Sequence, residues 1–329
     1  MLEALREAEP VVAKDPRTPQ RTAAHAVRGR YRLTEILGVG GMSAVYGAEE
    51  VALGRRVALK ILDPAFARDL ADRERFRREA RVLAGFDHPG IVPIYTAGDA
   101  DGLPFFTMRR IDGRSLAARL EDGTARMPVG DTMALLAALA DVLAAVHGAG
   151  IVHRDVKPAN VLLDGPTERP ILIDFGVATV GTSDHSRGEV VRGYGTLEYM
   201  CPEQALGEHE CDARGDLYSL GVVGFRMLTG RLPFRGTEPR ELIAQHVARP
   251  APTVSTFQPD VPPAVDEVIA RCLAKAPADR WPDAGALADA CRASLAPAAI
   301  AGRRRLLGGL FGGRARATRS GVDRSRMRR

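Results

Sequence analysis

The segment His153-Arg154-Asp155-Val156-Lys157-Pro158-Ala159-Asn160, followed by Ile173-Asp174-Phe175-Gly176, limits what this chain can be more than any other stretch. It places a potential base, a cation and two hard oxygen ligands close together in the sequence. Asp155 and Asn160 lie in a loop after an Ala- and Leu-rich helix, and Asp174 opens a loop after the apolar run Ile171-Leu172-Ile173. The Asn160 amide oxygen and the Asp174 carboxylate are ligands that suit Mg²⁺, which keeps waters and phosphate oxygens in its remaining positions. Asp155 is then left to orient a hydroxyl and accept its proton, and Lys157 to neutralise charge on a transferred phosphoryl group. Of the 46 basic residues only Lys14, Lys60, Lys157 and Lys275 are lysines. Lys60 and Lys157 fall where phosphoryl transfer wants a compact ammonium rather than a planar guanidinium.

The 329 residues suffice for one large two-lobed domain or two ordinary ones. A hydrophobic content of 45% with 26% charged residues fits a globular protein. Cys201, Cys211, Cys272 and Cys291 form no Cys-x-x-Cys pair, and no secretory h-region opens the chain. Free thiols in a cytoplasmic setting are therefore expected. No uninterrupted run of 18 or more apolar residues is present, so no transmembrane segment is expected. The net charge of +5 is uneven: from Ala301 onward ten arginines face one acid, which leaves 36 basic and 40 acidic groups before them. The high pI belongs to this tail, and no specific nucleic-acid binding is predicted.

Residues 1–30, with Pro10, Pro16 and Pro19, read as a disordered leader, and 296–329 as an Arg-rich disordered tail. Between them, strand signals come first. Tyr31–Leu37, Ala44–Tyr46, Arg56–Leu62, Ile91–Thr96 and Pro104–Met108 are short apolar stretches, with a helix over Asp72–Phe86 whose Phe76, Ala80 and Leu83 share a face. Beyond Gly113 the pattern is helical: Asp131–Gly148, Leu217–Thr229, Pro239–Ala248, Val265–Ala274 and Ala284–Leu295. The expected fold class is α+β, a small antiparallel β-sheet lobe with one helix (about 31–112) followed by a larger, mainly α-helical lobe (about 113–295).

Gly38-Val39-Gly40-Gly41-Met42-Ser43-Ala44-Val45 places a glycine-rich turn between two strands, where backbone N–H groups can approach phosphates. Alone it is equally a plain tight turn. It leads into a strand and no Gly-Lys-Ser/Thr follows, which argues against the dinucleotide-binding and Walker loops. Lys60 ends Val57-Ala58-Leu59-Lys60, and Glu79, on the inward face of the next helix, is its candidate partner.

Taken together, these motifs resemble the protein kinase fold, and most closely the eukaryotic-like bacterial Ser/Thr protein kinases, from about Tyr31 to Leu295. The resemblance implies ATP as phosphoryl donor and Mg²⁺, with Mn²⁺ as the alternative. It implies Lys60 on the α- and β-phosphates, paired with Glu79; Asp155 as catalytic base; Lys157 on the γ-phosphate; and Asn160 and Asp174 as metal ligands. The nucleotide site it implies is built from Leu37, Gly38, Val39, Gly40, Gly41, Met42, Ser43 and Val45 over the phosphates and adenine. Ala58 and Leu162 complete the adenine sandwich, with Met108 as gatekeeper and Arg109 to Ile111 as hinge. Leu83, Ile94, His153 and Phe175 resemble the apolar column that links the lobes. Gly195-Thr196 and Cys201-Pro202-Glu203 match the signals that close the activation segment, Asp216 the aspartate that anchors the catalytic loop, and Arg280 the partner of Glu203. Thr196 and Lys157 point to Ser/Thr acceptors on proteins.

Residues 188–194 contain no Ser or Thr, so the expected activating phosphosites shift to Thr182, Ser183 or Ser186. The basic tail is a solvated segment or an electrostatic contact with anionic lipid or an acidic partner, which would add a peripheral membrane association. Homodimerisation is a family habit with no signature in the sequence. The competing readings are a pseudokinase-type scaffold and a small-molecule phosphotransferase. The intact set Lys60, Glu79, Asp155, Asn160 and Asp174 counts against the first. The 195–203 segment and Asp216 count against the second.

Overall fold

Val57 to Leu62 is a run without polar alternation, apart from Lys60, as expected of a strand covered on both faces. In the computed structural model, which describes residues 27, 29–122, 126–175, 197–207 and 211–295, it forms the middle of a five-stranded antiparallel sheet. The strands are β1 (Tyr31–Val39), β2 (Ser43–Glu50), β3 (Arg55–Leu62), β4 (Ile94–Ala100) and β5 (Leu103–Arg109), in the order β1-β2-β3-β5-β4. Helix α1 (Leu70–Ala84) is capped by Asp69, whose carboxylate accepts from the Ala71 N–H at 2.7 Å. It buries Phe76, Ala80 and Leu83 at helical spacing, with the Phe76 ring 5.1 Å from that of Phe106 on β5. Val27, in the segment expected to be leader, is 3% exposed and accepts the Arg30 and Tyr31 N–H groups at the start of β1.

After Arg109 the chain passes into helical structure. Helices α2 (Leu116–Glu121), α3 (Val129–Gly148), α4 (Pro202–Ala205), α5 (Ala213–Thr229), α6 (Pro239–Ala248), α7 (Pro263–Cys272) and α8 (Ala284–Ser294) follow. Among the described residues α3 alone is long and apolar enough to cross a membrane by length and composition; half of it is buried, and it packs against α5 and α8 as a core helix. Helix α5 is buried along nearly its whole length and stops at Gly230, whose φ of 67° gives the left-handed cap that glycine adopts without penalty.

Among the departures from the sequence reading, three have identifiable reasons. Helix α5 begins at Ala213, ahead of its apolar run, because Asp212 caps the polar first turn through the Arg214 N–H at 2.8 Å. Strand β4 runs over Ile94–Ala100 where Ile91–Thr96 was expected, since Asp101-Gly102, both at positive φ, closes a two-residue hairpin onto β5. A second sheet, β6 (Gly113–Ser115), β7 (Val161–Asp164) and β8 (Arg169–Leu172), is too short to register as periodicity. Gly113 makes its approach possible: a Cβ there would lie 1.8 Å from the Leu163 carbonyl oxygen.

The α-lobe also carries a pH-sensitive group. His246 on α6 is 1% exposed, with Nδ1 3.0 Å from the Tyr218 hydroxyl and its ring 4.9 Å from that of Phe234. Burial, reinforced by the nearby Lys275 ammonium, lowers its pKa from 6.5 to about 4. Between those values the unfolded chain binds the proton and the folded one does not, so stability rises with pH and is lost as pH falls from 6.5 toward 4. The expected loss by about pH 5 is on the order of 2 kcal/mol. Urea titrations of wild type and His246→Asn should show the difference in pH slope; parallel slopes would remove His246 as the cause.

Candidate active site

The loop from His153 to Asn160 is fixed from below by Asp216, on the first turn of α5. Its Oδ2 accepts the His153 N–H at 2.8 Å and its Oδ1 the Arg154 N–H at 2.7 Å, and His147 Nε2 lies 2.8 Å from Oδ2. His153 is fully buried. Its Nδ1 accepts the Asp155 N–H at 3.2 Å, so Nε2 carries the proton and donates to the Ile173 carbonyl at 3.2 Å. Burial lowers its pKa, which keeps the ring neutral. Gln204 on α4 adds a hydrogen bond from Nε2 to the Arg154 carbonyl at 3.0 Å. Arg154 itself stands at φ 65°, a conformation costly for a residue with a side chain and maintained here by these contacts.

Held this way, Asp155 receives hydrogen bonds on Oδ2 from Lys157 Nζ at 2.8 Å and Asn160 Nδ2 at 2.8 Å; its Oδ1 is buried with no partner. An unpartnered buried carboxylate oxygen is costly and calls for a donor. Asn160 Nδ2 also bonds the Asp155 carbonyl at 2.9 Å, so the amide oxygen is the atom left for a cation. The β7–β8 hairpin brings Asp174 alongside. Val161 pairs with Leu172, and one step on the Ile173 N–H donates to the Asn160 carbonyl at 3.0 Å. Ligand candidates distant in sequence thus become neighbours.

Lys60 meets this pair from the small lobe. Its Nζ lies 2.7 Å from Glu79 Oε1 and 2.8 Å from Asp174 Oδ1, and the residue is 6% exposed. Burial alone would discharge the ammonium, but the Asp174 and Glu79 carboxylates outweigh it and hold the pKa above its ordinary value. Burial pushes the Glu79 carboxyl upward in turn, with Lys60 opposing. Lys60 remains charged, since two carboxylates share it. Asp174 stands at φ 55°, and Phe175, 3% exposed, packs its ring 4.7 Å from that of His153 and 6.0 Å from that of Phe86. Two ammonium groups, Lys60 and Lys157, face three carboxylates, Glu79, Asp155 and Asp174, a surplus of negative charge that suits a divalent cation.

Above the cleft, register aligns one face of the small sheet. Val45 pairs with Lys60, Lys60 with Phe106, and Ala58 with Met108. Ala58 and Met108 are buried, and Val45, Leu162 and Ile111 are half-buried against the core. Leu37 and Val39 are exposed, at 44% and 76%. The Gly40 N–H closes the loop on the Ser43 carbonyl at 2.8 Å, and the Met42 carbonyl accepts the Asp63 N–H at 2.9 Å. A Cβ on Gly38 or Gly41 would meet nothing within 4 Å, so the fold itself does not demand glycine there. At the hinge, the Arg109 N–H is engaged by the Pro93 carbonyl at 3.0 Å, and the Arg109 guanidinium pairs with Asp164 on β7.

Glu203 and Arg280 form a two-pronged buried pair, at 2.6 and 2.8 Å. All five guanidinium N–H groups of Arg280 are satisfied, the remainder by the carbonyls of Ala274, Lys275 and Arg214. Thr182, Ser183, Ser186 and Thr196 lie outside the described residues. The sequence reading missed His147 and Gln204; neither carries a signal, because each acts only through the loop to which it is bonded.

A two-lobed fold with a strand lysine ion-paired to a helix glutamate, facing an Asp–Asn–Asp cluster, defines an ATP-dependent phosphotransferase architecture. Residues 31–290 match the family described as protein kinase domain, and the chain belongs to it. It is 41% identical over 276 residues to the serine/threonine-protein kinase PksC of Streptomyces coelicolor, covering 80% of this chain and 48% of that protein. It is 40% identical over 268 residues to PknD of Mycobacterium tuberculosis, covering 81% and 40%. The chain thus spans less than half the length of these relatives. Among solved structures, the PknI kinase domain of Mycobacterium tuberculosis is similar at a TM-score of 0.62 and 32% identity, covering 81% of this chain and 96% of that one. The family works with ATP and a divalent cation.

Proposed function

We propose that this chain is an active Ser/Thr protein kinase that transfers the γ-phosphoryl group of ATP to hydroxyls of proteins, itself included, with residues 31–295 as the catalytic domain. The observation that supports this most strongly is the part-exposed Asp155 carboxylate, fixed in place by Lys157 and Asn160. Asp155 orients an acceptor hydroxyl and takes its proton. Lys60, positioned by Glu79, holds non-transferred phosphates, and Lys157 offsets charge on the transferred group. The Asn160 amide oxygen and Asp174 fit Mg²⁺, which when bound neutralises phosphate charge. Glycines at 38 and 41 leave the loop open to close approach by phosphate oxygens. A scaffold without activity has no use for this arrangement.

Labelled ATP, with and without Mg²⁺ and scored for labelled protein, tests the reading. Metal-dependent labelling on Ser or Thr is expected; labelled small molecules alone, or none, would overturn it. Asp216→Asn should lower kcat about tenfold or more while barely changing the ATP KM, because an amide N–H₂ must face one of the backbone donors that the carboxylate now accepts. We further propose phosphorylation at Thr182, Ser183 or Ser186, cytoplasmic placement, and tail-mediated contact with anionic lipid.

A further inference from the structure

Four cysteines are free and buried, but two of them sit face to face. Cys201 Sγ lies 3.5 Å from Cys211 Sγ, at the start of α4 and just ahead of α5. The space is shaped for sulfur: a Cβ on Gly215 would come within 2.4 Å of Cys211 Sγ and 3.1 Å of Cys201 Sγ. With Glu203 these atoms fall within 4.8 Å of one another, the reach of a metal site. Both Glu203 oxygens are nevertheless committed to Arg280, so a metal would compete with a buried guanidinium. We propose that Cys201 and Cys211 are a reversible redox pair, closed to a disulfide by a hydroperoxide, which loosens the catalytic loop.

The chemistry balances in two steps. Cys211, the more accessible at 7% exposure against 0% for Cys201, takes oxygen from the hydroperoxide to give a sulfenic acid and an alcohol, or water when the oxidant is hydrogen peroxide. Cys201 sulfur then attacks the Cys211 sulfur, forming S–S and releasing water. The sulfurs must close to about 2.05 Å. The connection to the loop is direct. The Cys201 thiol donates to Gln204 Oε1 at 3.1 Å, and Gln204 Nε2 donates to the Arg154 carbonyl, next to Asp155. Oxidation removes the thiol proton, and Gln204 Oε1 keeps only the longer contact from the Cys201 backbone N–H at 3.5 Å, which weakens the hold on its amide. Transient bridges of this kind are the regulatory class found in reducing compartments.

The test treats the full chain with hydrogen peroxide and maps its peptides without reduction. A Cys201–Cys211 cross-link reversed by dithiothreitol, with Cys272 and Cys291 still free, is expected. Hydrogen exchange at residues 153–155 should rise in the bridged form, a readout that stands whether or not the chain proves to be a kinase. If it is one, the rate should fall about five-fold, the scale of one lost hydrogen bond, and recover on reduction. Cys211→Ser should keep the reduced rate and lose the sensitivity. Sulfinic acid at Cys211 without a bridge, stoichiometric zinc retained by the pair, unchanged exchange in the bridged form, or equal sensitivity in Cys211→Ser would overturn the proposal.

Discussion

Lys60→Met is expected to abolish labelling of protein by ATP, a loss on the order of a hundred- to a thousandfold, while leaving the chain folded. Methionine keeps the unbranched stem between β3 and the sheet interior but removes the charge shared by Glu79 and Asp174. Glu79, whose carboxyl is already raised by burial, then takes a proton instead of forcing the fold apart. Asp174→Asn tests the other side of the network. Asparagine tolerates the left-handed backbone at φ 55° better than alanine does, so this variant isolates the charge from the conformation. Single-turnover assays at saturating Mg-ATP measure both, and wild-type rates in either would refute the assigned roles.

Glu203→Gln carries the largest expected cost in stability. It leaves the Arg280 guanidinium, itself 1% exposed, without a counter-charge, a change worth roughly 3–5 kcal/mol. For a domain of this size that lowers the melting temperature by roughly 10 °C. Replacing both partners, Glu203→Leu with Arg280→Met, should recover part of the loss. Recovery stays incomplete because the carbonyls of Ala274, Lys275 and Arg214 lose their donors. A single variant as stable as wild type by thermal unfolding would show that the pair is not structural.

The chemistry was legible because its residues lie in short segments whose spacing is itself the signal: Asp155 to Asn160, and Asp174 after an apolar run. Helix α1 was legible for a related reason, since Phe76, Ala80 and Leu83 recur at helical spacing. What stayed hidden depends on partners distant in the chain. The β6-β7-β8 sheet has strands of three and four residues, too short for periodicity, yet it sets Asn160 beside Asp174. His147 and Gln204 become meaningful only once Asp216 and Arg154 are in place. The Cys201–Cys211 approach has no sequence spacing that would announce it.

The segment between α1 and β4 is sewn into the large lobe. The Gly90 carbonyl accepts the Leu172 N–H at 2.8 Å, Ile91 bridges Leu172, and a Cβ on Gly90 would strike Val142 on α3 at 2.3 Å. Opening the cleft therefore cannot carry α1 away at its C-terminal end. The sheet must swing on its hinge at Arg109 to Ile111 like a door whose frame stays bolted at Gly90.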